Sequence, residues 1–412
     1  MVSLILGGLS LLLLCFVSVN AERRFWSSAI AVYFDAKVLR LLELRGLFAS
    51  WFASTIRDAG PRESIDLVVF AHQAGLQMLQ QDPLLSKHCK LFVPNVTVHD
   101  ASVTCLFVQS MFSIDTDYQF LNSVKHVTDA AADMLDAYDF VLRTDCDTFV
   151  TPAFARWRPT QFHCGLGAYA QLPFTRQKLA DWSAKLGVRH RGLHNLGASW
   201  YGPTAEVRRA SVLAARLTRQ LYDEAFEDRT TTKGWPKWHY GVALLYGQEL
   251  AINALVDVRP TELMDMPAHT SHSINSVVLV HSFHTSEMFS KFAFATHRYK
   301  HVHDSIALRW PTTQCRVWAV EMAWRGNAVK NRTIYGYIRT FPNESAWPDA
   351  RWVIPALMHP PGRKGALCGT GGRCFGDGIE CKLPYRVCVN ATRSARTLPD
   401  AMPFRRRPKT VL

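Results

Sequence analysis

Short apolar segments alternate with helical segments from residue 27 to about residue 300, and this alternation limits the possible folds more than any other feature. Apolar segments at 27–34, 65–71 and 138–147 alternate with segments that carry apolar residues at helical spacing, such as 36–58. The pattern predicts an α/β fold in which a mostly parallel sheet is covered by helices on both faces. Ligands of such sheets bind beyond the carboxyl ends of the strands.

Composition divides the chain into three regions. Residues 1–21 contain an uncharged apolar run of the length of a signal-peptide core, which is short for a membrane span. We therefore expect a cleaved secretory signal, with a retained signal anchor as the alternative. Residues 22–310 carry the α/β pattern. Residues 311–412 are rich in Gly, Pro and Cys and end in a basic tail, which predicts a small disulfide-linked region.

Two further features favour the lumen of the secretory pathway, in the Golgi or the ER, or secretion from the cell. N-glycosylation tripeptides begin at Asn95, Asn331, Asn343 and Asn390. Apart from Cys15 in the signal and Cys146, the cysteines are even in number, which fits disulfides of undetermined connectivity. These cysteines are Cys89, Cys105, Cys164, Cys315, Cys368, Cys374, Cys381 and Cys388. Zinc binding by the last four is less favoured because no close Cys-x2-Cys pair is present.

The chain is basic, with a formal net charge of +13 and a pI of about 9.4. Such a balance often indicates nucleic-acid binding. Here the basic residues are scattered and a secretory signal separates the protein from most nucleic acid, so no nucleic-acid partner is expected. Solubility is the simplest interpretation of the charge. Membrane association is expected only if the N-terminal segment is retained.

The segment "YDFVLRTDCDTFVTP" places two acids at the end of an apolar strand. Residues two apart in an extended strand project to the same side, so Asp145 and Asp147 should face one way and Cys146 should be a free, buried thiol. Two close carboxylates repel each other unless a positive charge lies between them. Oxygen ligands favour a hard divalent cation, so the pair predicts a site for Mn²⁺ or Mg²⁺.

An apolar strand that ends in Asp-x-Asp within an α/β pattern resembles the metal-binding motif of GT-A-fold glycosyltransferases. The resemblance covers about residues 27–300 and implies a GT-A-like, Rossmann-related fold. It also implies that Asp145 and Asp147 hold Mn²⁺ or Mg²⁺ against the diphosphate of a UDP- or GDP-linked sugar. The late segment "VVLVHSFH" is similar to the strand that supplies a further metal ligand, for which His281 is the first choice and His284 the second.

The same resemblance implies roles for five other residues. In "HNLGASWYG", Asn195 and Gly197 would line the donor sugar and the acceptor, and in "LLYGQELAIN", Glu249 would act as a base toward an acceptor hydroxyl. Lys291 in "FSKF" and Lys125, which precedes the acidic motif, would contact the diphosphate. Each residue also has an ordinary interpretation as a turn residue, a packing glycine, a solvated acid or a surface lysine.

The sequence therefore predicts a hexosyltransferase that moves a sugar from a nucleotide-sugar to a hydroxyl of a glycan or glycoprotein. Two alternatives remain open. A secreted sugar-binding or structural protein could keep the metal site without catalysis. A haloacid-dehalogenase-type phosphatase also uses Asp-x-Asp after a strand, but it usually has Thr or Val where this chain has Phe149, and its motif usually lies near the start of the chain.

Overall fold

A computed structural model of the chain describes residues 26–58, 63–93, 105–226, 229, 237–283, 291–295, 313–327, 379–382 and 387–390. These residues belong to two compact units, one formed by residues 1–300 with 313–329 and the other by residues 301–312 with 330–412. We predicted that the Cys-rich region begins at 311, whereas the helix at Cys315–Asn327 belongs to the first unit. The apolar N-terminal run and His284 lie outside the described residues.

The first unit contains eleven described strands. They are β1 (Trp26–Phe34), β2 (Glu63–Ala71), β3 (Cys89–Leu91), β4 (Cys105–Gln109), β5 (Phe140–Arg143), β6 (Thr148–Val150), β7 (Phe162–Leu166), β8 (Leu196–Pro203), β9 (Val258–Pro260), β10 (Met266–Pro267) and β11 (Leu279–His281).

Ten α-helices are described in the same unit. They are α1 (Val38–Asp58), α2 (Gln73–Gln81), α3 (Leu85–His88), α4 (Asn122–Lys125), α5 (Pro152–Arg156), α6 (Pro173–Lys185), α7 (Thr204–Glu224), α8 (Ala243–Leu255), α9 (Lys291–Ala295) and α10 (Cys315–Asn327). Short 3₁₀ helices lie at Gln119–Leu121, His126–Thr128, Ala130–Ala137 and Tyr240–Val242.

The main sheet has eight strands in the order β3-β4-β2-β1-β5-β8-β7-β9. All neighbouring pairs are parallel except those made by β8, which runs antiparallel to both β5 and β7. The predicted α/β fold with a mostly parallel sheet is therefore confirmed. The chain moves from β1 outward to β2 and then to the edge strand β3, inserts β4 between those two, and returns to place β5 on the other side of β1, so the strand order reverses between β1 and β5.

The strands at this reversal are buried on both faces, as expected for parallel strands covered by helices. Ala29 and Ala31 on one face of β1 pack in a core cluster with residues of α7 and α8, such as Leu217 and Leu250. On the opposite face lies α1, where the Trp51 indole donates a hydrogen bond to the Ile65 carbonyl, 2.9 Å away. The strands at the reversal are thus packed between helices on both faces.

A second, three-stranded sheet has the order β10-β11-β6. Since β6 starts five residues after β5 ends, residues 144–147 connect the two sheets. The Asp145 and Asp147 pair therefore lies in a turn beyond β5 and not in the extended strand that the sequence predicted. Of the helices that the structure describes, none has the length and apolar character needed to cross a membrane.

The disulfide prediction is confirmed for one pair and wrong for two cysteines. Cys89 and Cys105 form a disulfide that joins the starts of the neighbouring strands β3 and β4. Cys164 and Cys315 are free and buried, because each lies within a packed element of the first unit. In the second unit, Ile379–Lys382 and Val387–Asn390 form an antiparallel pair, β12 and β13.

The segment 115–137, whose apolar spacing is typical of a helix, forms a series of short helical turns. Local side-chain bonds compete with the regular helical ladder. The Asp115 carboxylate accepts a hydrogen bond from the Tyr118 amide at 2.8 Å, and the Asn122 side chain binds the Asp115 backbone amide and carbonyl at 2.8 and 3.0 Å. Asp129 interrupts the segment again, because its backbone is extended and its side chain accepts from Ala131.

Candidate metal centre

The acidic pair lies where the strand order of the sheet reverses, beyond the carboxyl end of β5. The β5 strand ends beside β1, with Arg143 opposite Ala31, and the Thr144 amide continues the pairing at 3.2 Å from the Ala31 carbonyl. Open α/β sheets bind ligands at such a reversal, because the connections diverge to opposite faces and leave a crevice there. The Asp145 side chain is 28% exposed, whereas that of Asp147 is only 5% exposed.

The Cys146 side chain contacts the end of β1. Its thiol is free and buried and donates a hydrogen bond to the Tyr33 carbonyl at 3.2 Å. Burial raises the pKa of this thiol well above its ordinary value. The prediction of a free, buried thiol is therefore confirmed.

The small sheet brings His281 to the acidic pair. Because β11 is antiparallel to β6, His281 lies opposite Thr148, and the Ser282 amide donates to the Asp147 carbonyl at 2.9 Å. His281 Nε2 lies 3.4 Å from Asp147 Oδ1. Asp145, Asp147 and His281 each offer one potential ligand atom, and these three atoms lie within 4.8 Å of one another. The structure thus brings together the two acids and the first-choice histidine.

Asp265 fixes the orientation of His281. Its Oδ1 accepts a hydrogen bond from His281 Nδ1 at 2.9 Å, which leaves Nε2 directed toward Asp147. Asp265 is itself held by the Ser199 amide at 2.9 Å and the Ser199 hydroxyl at 2.6 Å. A carboxylate behind a histidine ligand is a common arrangement in metal sites, because it sets the ring tautomer and orientation. No feature of the local sequence "LMDMP" distinguished Asp265 as such a residue.

Gly197 provides the space that Asp265 occupies. A Cβ atom on Gly197 would lie 2.2 Å from Asp265 Oδ2 and 2.6 Å from the Gly165 carbonyl carbon. Any larger residue would therefore displace the carboxylate that orients His281. The described contacts connect Gly197 to the candidate metal centre through Asp265, and its predicted contact with a donor sugar stays a prediction.

Cations surround the buried Asp147. Lys291 Nζ forms an ion pair with Asp147 Oδ2, and Arg40 Nη1 lies 4.0 Å from the same oxygen. Burial alone would raise the pKa of Asp147, but the charges of Lys291 and His281 outweigh it and hold that pKa well below its usual range. Burial would lower the pKa of His281, but Asp147 and Asp265 raise it to about 10. Asp147 is thus an anion at neutral pH.

Helix α1 contributes an acid that sequence reasoning missed. The Glu43 side chain is buried, accepts a hydrogen bond from Arg40 at 2.6 Å and lies 3.9 Å from Lys291 Nζ. Burial and the nearby Asp147 raise the pKa of Glu43 to about 7. Arg40 and Glu43 are three residues apart on one face of α1, but nothing in that spacing indicated that the face covers the acidic pair.

The donor set fits a divalent cation. Two carboxylates and one imidazole are ligands that Mn²⁺ accepts, and an ion such as Mg²⁺ commonly takes one or two protein carboxylates and completes its coordination with substrate phosphates. Asp147 Oδ1 is buried and, within the described part of the chain, accepts no hydrogen bond. In this structure the His281 imidazole, 3.4 Å away, is the positive partner that a buried anionic oxygen needs, and a bound divalent ion would take over that role. Asp145, Asp147 and His281 are thus the residues that would hold the ion.

Aromatic side chains lie at the carboxyl ends of β1, β2 and β4. The ring of Tyr33 lies 6.0 Å from that of His72 and 5.5 Å from that of Phe112, and the His72 and Phe112 rings are 4.6 Å apart. Lys125 belongs to this aromatic group, since its ammonium lies 5.5 Å from the Phe112 ring and donates to the Ser113 carbonyl. No described contact joins Lys125 to the acidic pair, and its predicted diphosphate contact stays a prediction.

Glu249 and Asn195 belong to a different cluster. The Glu249 side chain is fully buried in α8 and accepts hydrogen bonds from His190 and His194 and from the Asn195 amide. Asn195 has a φ of 59°, and its side-chain oxygen accepts from the Ala170 amide at 2.7 Å, so it holds the turn before β8. The roles predicted for Glu249 as a base and for Asn195 in sugar binding stay predictions.

The fold and the site together define an α/β protein with a candidate divalent-metal centre at the strand-order reversal of its main sheet. Residues 23–345 match a family described as a domain of unknown function (DUF7164), and the chain belongs to that family. No curated protein matches the sequence.

Proposed function

We propose that this protein is a metal-dependent glycosyltransferase that moves a hexose from a UDP- or GDP-linked sugar to a hydroxyl of a glycan or glycoprotein. The observation that carries the proposal is the cluster of Asp145, Asp147 and His281 at the strand-order reversal. Phosphate-bearing ligands of α/β sheets bind at this position. Two acids alone would repel a diphosphate, so their presence there is best explained by a cation that both bind.

The surroundings of the cluster support a nucleotide diphosphate as ligand. Tyr33, His72 and Phe112 offer ring faces or edges for contact with a nucleobase at the neighbouring strand ends. Lys291 and Arg40 add positive charge beside Asp147. A bound Mn²⁺ or Mg²⁺ would stabilise the charge that develops on the leaving diphosphate. Lys291 and Arg40 would bind the phosphate oxygens, and Asp265 would keep His281 Nε2 directed toward the ion.

The secretory pathway, in the Golgi or the ER, is the location that we propose for this activity. The Cys89–Cys105 disulfide supports an oxidising compartment.

A non-catalytic sugar-binding protein and a phosphatase are the competing functions. In a phosphatase of this type Asp145 would be the nucleophile, yet Arg143 binds its Oδ1 at 3.2 Å and His281 adds an imidazole ligand to the cluster.

Substitution of one buried acid tests the proposal. We expect purified protein to bind a member of a UDP- and GDP-hexose panel only with Mn²⁺ or Mg²⁺, and to release the nucleoside diphosphate. Asp147→Asn keeps the side-chain volume but removes the anionic ligand, so metal-dependent binding and turnover should be lost. Calorimetry and a nucleotide-release assay measure the two effects.

Asp136→Asn is the matched control, because Asp136 is an exposed acid whose partner is Arg208, 2.7 Å away on α7. Its binding and turnover should equal those of the unaltered protein. Full activity of Asp147→Asn would contradict the site assignment. Phosphate release from simple phosphate esters, without nucleotide dependence, would instead favour the phosphatase, and binding without turnover would favour the sugar-binding protein.

A further inference from the structure

The cluster around Glu249 lies outside the candidate metal centre and contains two histidines. His190 and His194 lie in the segment that leads into β8, with ring centroids 4.9 Å apart. These two histidines and Glu249 bring three potential ligand atoms within 4.8 Å of one another. The hydrogen-bond pattern around them decides whether the cluster is a second metal site or a proton-transfer site.

Both oxygens of Glu249 are already engaged. Oε1 accepts from His194 Nδ1 at 2.8 Å and from His190 Nε2 at 3.4 Å, and Oε2 accepts from the Tyr169 hydroxyl and the Asn195 amide, each at 2.8 Å. Burial acts to raise the pKa of Glu249, but the hydrogen bonds from His190, His194 and Tyr169 outweigh it and keep that pKa below its ordinary value. Glu249 is thus a fixed anion with four donors and little room for a substrate hydroxyl.

The two histidines differ in the nitrogen that remains available. The Gly192 amide donates to His190 Nδ1 at 3.0 Å, so the proton of neutral His190 lies on Nε2 and faces Glu249. A metal bound by the cluster would need the lone pair of His190 Nε2, and the displaced proton could not move to Nδ1 while Gly192 donates there. The pattern therefore disfavours a second metal site.

His194 has the opposite arrangement. Its Nδ1–H donates to Glu249, so the lone pair lies on Nε2, and the side chain is 18% exposed. In the described part of the chain no hydrogen bond reaches this Nε2. A carboxylate that binds one imidazole nitrogen fixes the tautomer and stabilises the ring when the other nitrogen takes a proton.

His194 and the candidate metal centre lie at the same edge of the main sheet. Because β8 is antiparallel to β5, the start of β8 lies at the same edge of the sheet as the end of β5. His194 precedes β8 by two residues, and Gly197 and Ser199 on that strand contact Asp265 behind His281. The segment is held in place, since the Asn253 side chain accepts from the backbone amides of Arg191 and Leu193 at 3.0 and 3.3 Å.

We propose that His194 Nε2 is the base that takes the proton from the acceptor hydroxyl, and that Glu249 is its positioning residue. The inference rests on the proposed function and assigns to His194 the role that the sequence predicted for Glu249. As the acceptor O–H proton moves to Nε2, the acceptor oxygen forms a bond to the anomeric carbon of the hexose. The bond from that carbon to the phosphate oxygen breaks, and its electron pair leaves with the diphosphate. A single displacement of this kind inverts the anomeric configuration.

Two substitutions that each preserve a donor to Glu249 test the proposal. In His194→Asn the amide nitrogen replaces Nδ1, and in His190→Gln it replaces Nε2, so both variants can keep the hydrogen bond while losing the imidazole. We expect His194→Asn to lower Mn²⁺-dependent release of nucleoside diphosphate from the reactive UDP- or GDP-hexose by about 100-fold or more. His190→Gln should retain the rate within about threefold, and both should bind Mn²⁺ and the nucleotide-sugar as the unaltered protein does.

The pH profile separates proton transfer from a structural role. Turnover of the unaltered protein and of His190→Gln should depend on pH through the base, whereas the residual turnover of His194→Asn should keep only the pH dependence of the metal centre, where Glu43 has a pKa of about 7. Two titratable groups contact His194 in the described part of the chain, Glu249 and His190, and the His190→Gln variant tests the second. An unchanged rate or an unchanged pH dependence in His194→Asn would overturn the proposal.

One measurement does not depend on turnover or on the stability of a variant. NMR of ¹⁵N-histidine-labelled protein should show His194 with its proton on Nδ1, and a proton on Nε2 would overturn the proposal. If the unaltered protein binds no nucleotide-sugar with Mn²⁺ or Mg²⁺, or binds one without turnover, the proposed transferase function fails and this inference fails with it. If binding and turnover occur but His194→Asn is fully active, only this inference fails.

Discussion

At the scale of single residues, the candidate metal centre depends on Asp265. Of the three candidate metal ligands, this side chain forms its hydrogen bond with His281. Asp265 is buried, has a φ of 53° and occupies the space above Gly165 and Gly197. A non-glycine residue in the left-handed region is uncommon and is retained where the surrounding structure requires it. The left-handed backbone of Asp265 and the space left by the two glycines together allow its carboxylate to orient the His281 imidazole.

Removal of the Asp265 charge should weaken metal binding without removing a ligand. Asp265→Asn keeps the volume of the side chain but no longer fixes the His281 tautomer, so Mn²⁺ affinity should fall by about 10- to 100-fold. Titration of Mn²⁺ followed by electron paramagnetic resonance measures the change. Asp257→Asn is the control, because Asp257 is fully exposed and lies 3.7 Å from Arg191. Equal affinities of the two variants would exclude the orienting role.

The sequence indicated the candidate ligands of the centre but not the residues that support them. Asp145 and Asp147 were predictable because two acids at the end of an apolar strand have few structural explanations, and His281 through the resemblance of its segment to a strand that supplies a metal ligand. Asp265 and Glu43 act through contacts with residues far away in the chain, and no periodicity encodes such contacts. The two histidines four residues apart in "HRGLHN" were a weak signal for the second cluster, since that segment is a loop without a regular repeat.

At the scale of elements, the long helices α7 and α8 pack closely because α8 has a glycine at the contact. A Cβ atom on Gly247 would lie 2.7 Å from the backbone nitrogen of Thr218, and backbone atoms cannot move aside as a flexible side chain can. This contact also determines where α8 places Glu249. The apolar spacing of both segments is typical of helices, but it does not encode their contact distance, because a glycine within a helical pattern is compatible with several kinds of packing.

Substitution of Gly247 should separate the two helices. Gly247→Ala adds a methyl group where no space exists, so the free energy of unfolding should fall by about 1–3 kcal/mol despite the higher helix propensity of alanine. Urea unfolding followed by circular dichroism measures this change. Gly187→Ala gives a comparison at a site with open space but a positive φ of 64°. An unchanged or higher midpoint for Gly247→Ala would show that the helices accommodate the methyl group.

At the scale of the whole molecule, a neutral histidine in the centre of the first unit connects stability to pH. His126 is fully buried, with its ring 5.2 Å from that of Phe70 and 6.3 Å from that of Tyr33. Burial, reinforced by the charge of Arg143, lowers the pKa of His126 to about 3. The parallel α/β core around it was predictable from the strand pattern, but the burial of one histidine in "NSVKHVTD" was not, because a helical pattern in this segment is equally compatible with an exposed histidine.

The unaltered protein should lose stability in mild acid for this reason. Between the ordinary histidine pKa of about 6.5 and a pKa of about 3, the unfolded chain binds a proton at His126 that the folded chain does not. The free energy of unfolding therefore falls as pH falls through this window, by up to about 1.4 kcal/mol per pH unit from this residue. Urea unfolding at pH 7 and pH 5 should show a smaller loss for His126→Gln than for the exposed control His272→Gln. Equal losses would exclude His126 as a cause.

The ion pair between Lys291 and Asp147 has a consequence for the choice of cation. The Lys291 ammonium belongs to the same chain as the acid that it contacts, so dilution and dialysis cannot remove it. A cation that binds Asp147 Oδ1 would therefore share the carboxylate with a permanent positive charge on Oδ2. Because that charge already neutralises much of the carboxylate, we expect a monovalent ion such as Na⁺ or K⁺ to gain little at this site and a divalent ion to be preferred.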